Sequence, residues 1–414
     1  MFLLPTEQHK EYLTLMNSEK FMMGAWVYND VGELSSEKYV SDLLEAGMNV
    51  GFSSRYNGEK EKRDEYIREF DEAERRGIQL IAYDFRTHWR TLAARGESAF
   101  IEGVKEIRKE YGLHDGVCAF HIGDEPGKSD FDNVIKAARI VKEIIPEKQV
   151  FVNFFPYFDG EWFRTGVGAN IRADYGESVK NIVKSAALPV ISYDCYSQCR
   201  EDRDINGVRA YFENLEFFRA LSLETKTPLW TSLLCVGHWD YRVPDENDIR
   251  WQISTAAAFG CKGILWFSFY SSQKDSYREA PIYGLNKTDR CETFYRLKRQ
   301  IGFFMQRYGD KFARAEVYKI MQLGEVCGST MPFSSDELIH SVAAYSFDAP
   351  LLISELIQSD GNKAVVVVNK SQTRSTRVRI MPGESYEILS ACETHLAPGD
   401  LWWIDIKKKT EEER

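Results

Sequence analysis

Two short stretches of the sequence bring acidic side chains next to apolar ones. The first, HIGDEP (121–126), follows the apolar run GVCAF and contains Asp124 and Glu125 side by side. The second, SYDCY (192–196), has Asp194 at its centre. A carboxyl group near another negative charge and near apolar residues keeps its proton to higher pH, because both neighbours disfavour the ionised form. Glu125 is therefore a candidate general acid, and Asp194 is a candidate for its partner.

The two stretches belong to a chain in which strand-like and helix-like segments alternate from about residue 20 to residue 308. The strand-like runs are 21–28, 48–54, 78–85, 116–123, 149–155, 188–196, 228–236 and 262–270. Each run is followed by a segment of helical period, so the pattern predicts a (β/α)8 TIM barrel, an α/β fold. A doubly wound sheet is the alternative, but no Gly-rich phosphate turn follows the first strand.

The sequence pattern changes after about residue 310, where short β-rich runs are separated by turn signals such as SDGNK and APGD. This pattern predicts a small antiparallel β-sandwich. The expected domains are a barrel over residues 1–309 and a β-sandwich over residues 310–414.

A barrel of this kind carries its active site at the carboxyl ends of the strands. Because side chains alternate in and out along a strand, the polar residues of one parity are expected to share the mouth. Glu125 with His121 on strand 4, and Asp194 with Tyr196 on strand 6, satisfy this rule. The expected substrate-binding residues are Trp26, Arg55, Asp84, His121, Asp124, Asn153, Tyr196 and Trp266.

Such a ring of carboxylates, arginines, hydroxyls and aromatic rings suits a sugar, which needs polar contacts to its hydroxyls and apolar contacts to its faces. Hydrolysis of a glycoside uses two carboxyl groups, one of them protonated at the working pH. Structural explanations remain open for the same residues. Glu125 could cap the next helix, Asp194 could accept a structural hydrogen bond, His121 and Trp266 could be interior residues, and Arg55 could form a salt bridge.

The motifs also resemble those of a known group of enzymes. GDEP (123–126) resembles the Asn-Glu-Pro acid/base signature at the end of strand 4 in clan A glycoside hydrolases, with Asp124 in place of Asn. Trp266 matches the Trp of that clan's sugar platform at the end of strand 8. SYDCY and the segment 249–270 resemble bacterial glycoside-hydrolase-like barrels with GDEP on strand 4 and SYDxY on strand 6. The resemblance covers about residues 20–308 and implies a glycosidase acting on a carbohydrate.

Strand 7 departs from the clan pattern. Clan A enzymes carry a nucleophilic Glu at the end of that strand, whereas this chain reads PLWTSLLCVGHWDY (228–241). Its expected inward residues are Thr231, Leu233 and Cys235, without a carboxylate before Asp240. The second carboxylate is therefore Asp194, Asp84 or Asp240, or it is absent, and Asp194 is favoured by its parity.

Two other functions compete with hydrolysis of a glycoside. A carbohydrate-binding barrel that has lost its chemistry would explain the missing Glu of strand 7. A metal-dependent hydrolase could gather His88, His121, His238, Asp194 and Glu125, but the sequence has no HxH or HExxH spacing. No metal and no cofactor are therefore expected.

Composition limits the partners and the compartment. The formal net charge of −10 argues against nucleic acid or an anionic membrane as a partner. The eight cysteines, several inside apolar runs, are typical of free thiols in a reducing compartment. The first residues, MFLLPTEQHKEYLTL, lack the basic start and long apolar run of a signal peptide, and no stretch approaches the ~18 apolar residues of a membrane span. A cytoplasmic protein is expected.

Overall fold

A computed structural model describes residues 20–160, 172–271, 277–284, 287–345 and 349–410. The segment MFLLPTEQHKEYLTL, in which no signal peptide is expected, lies outside these residues. The described chain forms a nearly closed barrel of eight parallel strands followed by antiparallel sheets, which confirms the predicted (β/α)8 barrel and β-sandwich.

The barrel strands are short and lie within the runs predicted from the sequence, except that β4 extends one residue further, to Asp124. They are β1 (Met22–Ala25), β2 (Val50–Phe52), β3 (Gln79–Ala82), β4 (Val117–Asp124), β5 (Gln149–Phe154), β6 (Ile191–Asp194), β7 (Leu229–Leu234) and β8 (Gly263–Phe267). Hydrogen-bonded neighbours follow the order β1–β8–β7–β6–β5–β4–β3–β2. Asn49 joins the two ends of this order, because its backbone N–H donates to the Met23 carbonyl at 2.9 Å and its Oδ1 accepts from the Met23 N–H at 2.9 Å.

Helices surround the strands. They are α1 (Ser36–Glu45), α2 (Arg63–Arg75), α3 (Trp89–Arg95), α4 (Glu97–Glu110), α5 (Phe131–Ile144), α6 (Arg172–Ser185), α7 (Ile205–Thr225), α8 (Glu246–Ala258), α9 (Glu292–Phe304) and α10 (Asp310–Arg314), with a π-helical turn at Met305–Gly309. Side-chain caps fix several starts: Ser35 accepts from the Lys38 N–H ahead of α1, and Asp245 and Asp248 form a capping box at α8.

Aromatic rings fill the middle of the barrel. Trp26 stacks on Phe52 with ring centroids 4.0 Å apart, and the His121 ring meets both edge-on at 5.6 and 5.4 Å. Phe151 extends this layer towards Trp230 at 6.3 Å. All five side chains are buried. The barrel is therefore a packed core, and polar side chains that can meet a ligand must lie above this layer.

The C-terminal strands form a six-stranded and a three-stranded sheet. They are β9 (Glu316–Leu323), β10 (Met331–Pro332), β11 (Ile339–Ala344), β12 (Leu351–Ile357), β13 (Lys363–Asn369), β14 (Thr376–Pro382), β15 (Tyr386–Ile388), β16 (Glu393–Leu396) and β17 (Leu401–Lys408). The larger sheet also packs on the barrel, where the Trp251 indole N–H donates to the Lys370 carbonyl at 2.7 Å. Helices give way to strands between Arg314 and Glu316, and the domain boundary at 309/310 stays a prediction.

All eight cysteines are free thiols, and most of them are buried. Among the described residues, no helix has both the length and the apolar character needed to cross a bilayer.

Strand β4 contains an irregularity that positions the mouth. The pairing with β5 shifts between His121 and Gly123, so that Asp124 comes to pair with Asn153. A β-bulge of this kind redirects the side chains that follow it. Gly123 is required at this point, because a Cβ atom there would lie 2.2 Å from Cδ1 of the Trp89 indole.

We expect Gly123→Ala to destabilise the protein by roughly 1–3 kcal/mol, because an added methyl group overpacks the contact between β4 and Trp89. The measurement is the free energy of unfolding in urea. Gly302→Ala is the matched control, since a Cβ atom at Gly302 in helix α9 meets nothing within 4 Å. The control should be neutral or more stable by up to ~1 kcal/mol. Equal stabilities of the two variants would contradict the assigned packing.

Candidate active site

Three carboxyl groups meet at the carboxyl ends of β4 and β6. The Asn153 amide on β5 lies between them and donates to Asp124 at 3.1 Å and to Asp194 at 2.8 Å. The Asn153 carbonyl oxygen in turn accepts from the Ser192 hydroxyl at 2.9 Å. Glu125 completes the cluster, because its carboxyl group hydrogen-bonds to that of Asp194. We call Asp124, Glu125 and Asp194 the acid cluster.

The backbone at Glu125 is unusual and brings its side chain to the cluster. Glu125 has a φ of 47°, in the left-handed region that a residue with a Cβ atom adopts at a cost of about 1–2 kcal/mol. Its N–H still donates to the Asn153 carbonyl at 2.9 Å, so the chain remains attached to β5 at this point. The left-handed residue after the bulge allows two consecutive side chains, those of Asp124 and Glu125, to reach one space.

Burial raises the pKa values of all three acids, and repulsion by neighbouring carboxylates adds to the rise at Glu125 and Asp194. Burial is the main cause of the rise in the pKa of Asp124 to about 6 and in that of Asp194 to about 7, where the Asp124 charge adds to it. The pKa of Glu125 is raised well above its usual value by burial, by the charges of Asp194 and Asp124, and by its hydrogen bond to Asp194. The Asn153 amide opposes the rise at both aspartates. Glu125 therefore keeps its proton to higher pH than an ordinary glutamic acid, and the hydrogen bond to Asp194 favours this protonated form.

A partly open cavity of about 220 Å³ lies on the β3–β4 side of the acid cluster. Its lining residues are Tyr83, Phe85, His88, Arg90, Thr91, Asp124 and Glu125. The Arg90 guanidinium lowers the pKa values of both acids that face it. Burial lowers the pKa of His88 to about 4, so its imidazole is neutral at pH 7. The cavity combines an acid, a cation and aromatic walls in a space smaller than the ~300–1,000 Å³ of typical ligand sites.

Aromatic rings line the opposite side of the acid cluster. Phe267 at the end of β8 lies 5.8 Å from Tyr28, 5.4 Å from Tyr196 and 5.4 Å from the His238 ring, centroid to centroid. Tyr277 stacks on His238 at 4.8 Å. Phe267, Tyr28, Tyr196 and Tyr277 are all partly exposed, so their rings face the opening of the barrel.

Arg55 also lies at the mouth. Its guanidinium pairs with Asp30 at 2.9 Å and lies 5.8 Å from the Tyr28 ring centroid. Arg55 thus forms the expected salt bridge and also lies near the site.

Trp26 and His121, which were expected to contact substrate, belong to the aromatic layer below the mouth. The Trp26 indole N–H donates to Ser232 at 2.8 Å, and His121 is 0% exposed. The expectation is corrected for both residues, since a fully enclosed side chain supports the site from beneath without meeting a ligand.

Trp266 requires a correction of strand parity. Successive side chains of a strand point to opposite faces, and in β8 the ring that meets Tyr28 and Tyr196 is that of Phe267. Trp266 therefore points towards the helices, where it is fully buried and its indole N–H donates to the Met23 sulfur at 3.2 Å.

Asp84 likewise points away from the acid cluster. Its carboxylate accepts from the Arg86 guanidinium at 2.8 Å and from the Tyr111 hydroxyl at 2.6 Å, and the same guanidinium pairs with Glu110 at 2.8 Å. The side chain is 0% exposed. Asp84 therefore joins β3 to helix α4, which corrects its expected role as a substrate-binding residue.

Strand β7 presents the parity opposite to the expected one. Ser232 faces the barrel interior, as its bond from Trp26 shows, while Thr231 pairs in register with Tyr193, whose ring stacks on Phe218 of helix α7. The inward residues of β7 are thus not acidic. Asp240 is exposed and lies outside the acid cluster.

The sequence predicted Tyr28 at the mouth together with Trp26, since the two share one parity. Other mouth residues were not predicted. Tyr83 and Phe267 lie at strand ends, and Arg90 lies in the first turn of helix α3. The positions of Arg90 and Tyr277 depend on loop conformation, for which the sequence offers no comparable signal.

The histidines considered for a metal centre are not gathered. The His88 and His121 rings are 5.8 Å apart, whereas His238 lies on the aromatic side with Phe267. Within the described ranges, no three His, Cys, Asp or Glu side chains are arranged to hold a metal ion.

A scan against protein-family models and a search of curated proteins found no match for this chain. Solved structures do match in fold. A structure titled only glycoside hydrolase aligns with a TM-score of 0.57 at 11% identity, over 94% of this chain and 87% of that one. A β-galactosidase from Rahnella sp. R3 aligns with a TM-score of 0.54 at 13% identity, over 75% of this chain. The alignment spans only 59% of that enzyme.

A glycoside hydrolase family 5 mannosidase from Rhizomucor miehei, in complex with mannosyl-fructose, aligns with a TM-score of 0.50 at 10% identity, over 73% of this chain and all of that one. At such identities the similarity establishes the fold, a barrel of the kind found in glycoside hydrolases.

The acid cluster predicts an unusual dependence of stability on pH. The folded protein keeps protons on Asp124 and Asp194 up to pH values of about 6 and 7, whereas the unfolded chain loses them near pH ~4. The folded state therefore binds more protons in this window, and the free energy of unfolding falls as the pH rises through it.

Asp194→Asn should reduce this fall, because the amide retains a hydrogen-bond acceptor for Glu125 and removes one titrating charge. Urea unfolding at pH 5 and pH 8 provides the measurement. Wild type should lose more stability between the two values than the variant does, by up to ~1.4 kcal/mol for each pH unit of removed shift. The exposed Asp240→Asn is the control and should behave as wild type. An identical loss in Asp194→Asn would show that the Asp194 pKa is not raised.

Proposed function

We propose that the protein is a glycosidase that cleaves the glycosidic bond of a small glycan or glycoside by carboxylate acid/base catalysis. The observation that supports this best is the position of Glu125, with its raised pKa, beside Asp194 at the barrel mouth, between a polar cavity and a group of aromatic rings. A sugar needs these three elements together: an acid for the leaving oxygen, polar partners for hydroxyls, and flat apolar surfaces for its faces.

Glu125 is the proposed general acid. It keeps its proton at neutral pH, because ionisation would place a third negative charge next to Asp124 and Asp194. A bound glycoside would offer its glycosidic oxygen in place of Asp194 as the acceptor of that proton. Transfer of the proton in the transition state makes the leaving sugar a neutral alcohol.

Asp194 is the proposed second carboxylate, acting as base or nucleophile. Asn153 and Ser192 hold it from below through consecutive hydrogen bonds of 2.8 and 2.9 Å. Catalytic carboxyl groups lie ~5–5.5 Å apart in retaining enzymes and ~6.5–9.5 Å apart in inverting ones, and two hydrogen-bonded carboxyl groups are closer than either. Substrate must therefore separate Glu125 from Asp194, and the fixed Asn153 makes Glu125 the side chain that moves.

The remaining roles follow from position. Asn153 positions the two aspartates, while Asp124, Arg90 and Arg55 are placed to bind hydroxyl groups. Tyr196 and Phe267 are placed to contact the face of a sugar ring. The structural neighbours named as β-galactosidase and mannosidase make β-galactosides and mannosides the first substrates to test.

Glu125→Gln should lower the rate of hydrolysis by ~10²–10⁴-fold for a substrate with a poor leaving group. The loss should be smaller for a 2,4-dinitrophenyl glycoside, because that leaving group departs without a proton. Asp194→Asn should slow both substrates, and Asp240→Asn neither. The measurement is released sugar and released dinitrophenol for each variant. Unchanged release by Glu125→Gln with both substrates would remove Glu125 as the acid.

The pH dependence of kcat/KM should be bell-shaped. Activity should rise with pH through about 7, because Asp194 must lose its proton to act as base or nucleophile. It should fall again at higher pH, because Glu125 must retain its proton. The alkaline limb should disappear in the residual activity of Glu125→Gln towards the dinitrophenyl glycoside. A limb that persists in this variant would assign the acid to another residue.

A carbohydrate-binding barrel without hydrolytic activity is the second candidate. It is favoured by one observation, the non-acidic inward face of β7 at Ser232. It predicts that sugars bind, as measured by calorimetry, while no product forms over days. Any product whose formation depends on Glu125 would exclude it.

A further inference from the structure

The hairpin turn at residues 238–241 presents a tryptophan ring to solvent at the edge of the mouth. His238 and Tyr241 exchange two backbone hydrogen bonds, of 3.0 and 2.8 Å, which leaves Trp239 and Asp240 as a two-residue loop. The Trp239 side chain is 69% exposed, the highest fraction of any large hydrophobic side chain in the described ranges.

Trp239 is an unfavourable residue for the stability of this turn. Its φ is 51°, and two-residue hairpin loops that need a positive φ favour Gly, Asn or Asp there. A bulky residue in this region is an outlier that costs of order 1 kcal/mol. An exposed indole adds no compensating burial. A strained and exposed aromatic residue next to a cleft is typical of a ligand-binding position.

The surrounding contacts hold the indole in one place. Its ring stacks on His238 at 4.2 Å with an interplanar angle of 25°. Arg278 lies on a short strand, Tyr277–Arg278, that pairs with Gly237–His238. Its guanidinium donates to the Trp239 carbonyl at 3.1 Å and to the Tyr241 carbonyl at 2.8 Å. The same guanidinium pairs with Glu201 at 2.6 Å. The platform is thus formed before any ligand arrives.

A continuous series of rings connects Trp239 with the acid cluster. The His238 ring lies 5.4 Å from Phe267, and Phe267 lies 5.8 Å from Tyr28. Phe267 also lies 5.4 Å from Tyr196, which is two residues from Asp194 in the sequence. The rings therefore lead outward from the acid cluster, away from the cavity lined by β3 and β4.

We infer that Trp239 on His238 forms a binding subsite for a sugar ring beyond the acid cluster, so that the substrate is an oligosaccharide. This inference rests on the proposed function. The cavity of about 220 Å³ takes the sugar unit on one side of the cleaved bond. The leaving side extends along Phe267 and ends with a pyranose ring whose apolar face covers the Trp239 indole. Substrates that are long on the leaving side bind more tightly than a monosaccharide glycoside for this reason.

The test uses Glu125→Gln protein, so that bound oligosaccharides persist, and follows tryptophan fluorescence and heat on titration. The probes are the monosaccharide to tetrasaccharide members of the β-1,4-mannan, β-1,4-glucan and β-1,4-galactan series. In at least one series affinity should increase with length, and the indole emission should change. Adding Trp239→Gly should lower the tetrasaccharide affinity by about tenfold, which corresponds to ~1.4 kcal/mol, and lower the ratio of tetrasaccharide to monosaccharide affinity.

Trp239→Gly is chosen because Gly adopts a positive φ without strain. The variant should unfold at the same temperature as the parent or at a higher one, whereas loss of a purely structural Trp would lower the melting temperature. Trp239→Tyr should restore most of the affinity. Tyr295→Ala, which removes an exposed ring on helix α9, is the control and should leave binding unchanged.

Tetrasaccharide affinity that is unchanged in Trp239→Gly, or affinity that does not increase with length in any series, would overturn the subsite. Hydrolysis by wild-type protein that depends on Glu125 would still stand in either case. Failure of wild-type protein to release sugar from any glycoside would instead remove the proposed function.

Discussion

The crowding of three carboxyl groups, those of Asp124, Glu125 and Asp194, is the constraint on which the mouth of this barrel depends. Three carboxyl groups lie in one half-enclosed space, and water solvates them too poorly for all three to ionise together. The proton on Glu125 removes one charge, and the Asn153 amide binds the two aspartates. The arrangement is costly for stability at neutral pH, and it provides a carboxylic acid that still holds its proton there.

The backbone is adapted to this arrangement. The bulge in β4 and the left-handed Glu125 bring two consecutive side chains into one space, which a regular strand would send to opposite faces. Gly123 leaves room for Trp89 behind the bulge. Below, the rings of Trp26 and His121 exclude water from the barrel interior. The acid cluster thus stands at the boundary between a dry core and an open mouth, where electrostatic interactions are strong and a ligand has access.

The sequence predicted the positions of the strands more accurately than the faces to which their side chains point. Parity correctly placed Ser192 and Asp194 on the face that meets Asn153. The same rule placed Trp266 inward, where the structure has Phe267. An assignment of parity that is wrong by one residue exchanges every side chain of a strand between the two faces. Short runs that are apolar on both faces, as in buried parallel strands, carry no alternation that would correct the error.

The amino-acid sequence by itself determined the barrel, the strand order and the position of GDEP and SYDCY at strand ends. These follow from local hydrophobic pattern and turn chemistry, which act over a few residues. Only the tertiary structure decided which acids come together. Asp84 is held by Tyr111, whereas Glu125 meets Asp194, because hydrogen-bond partners that orient a buried carboxylate can come from elements distant in sequence.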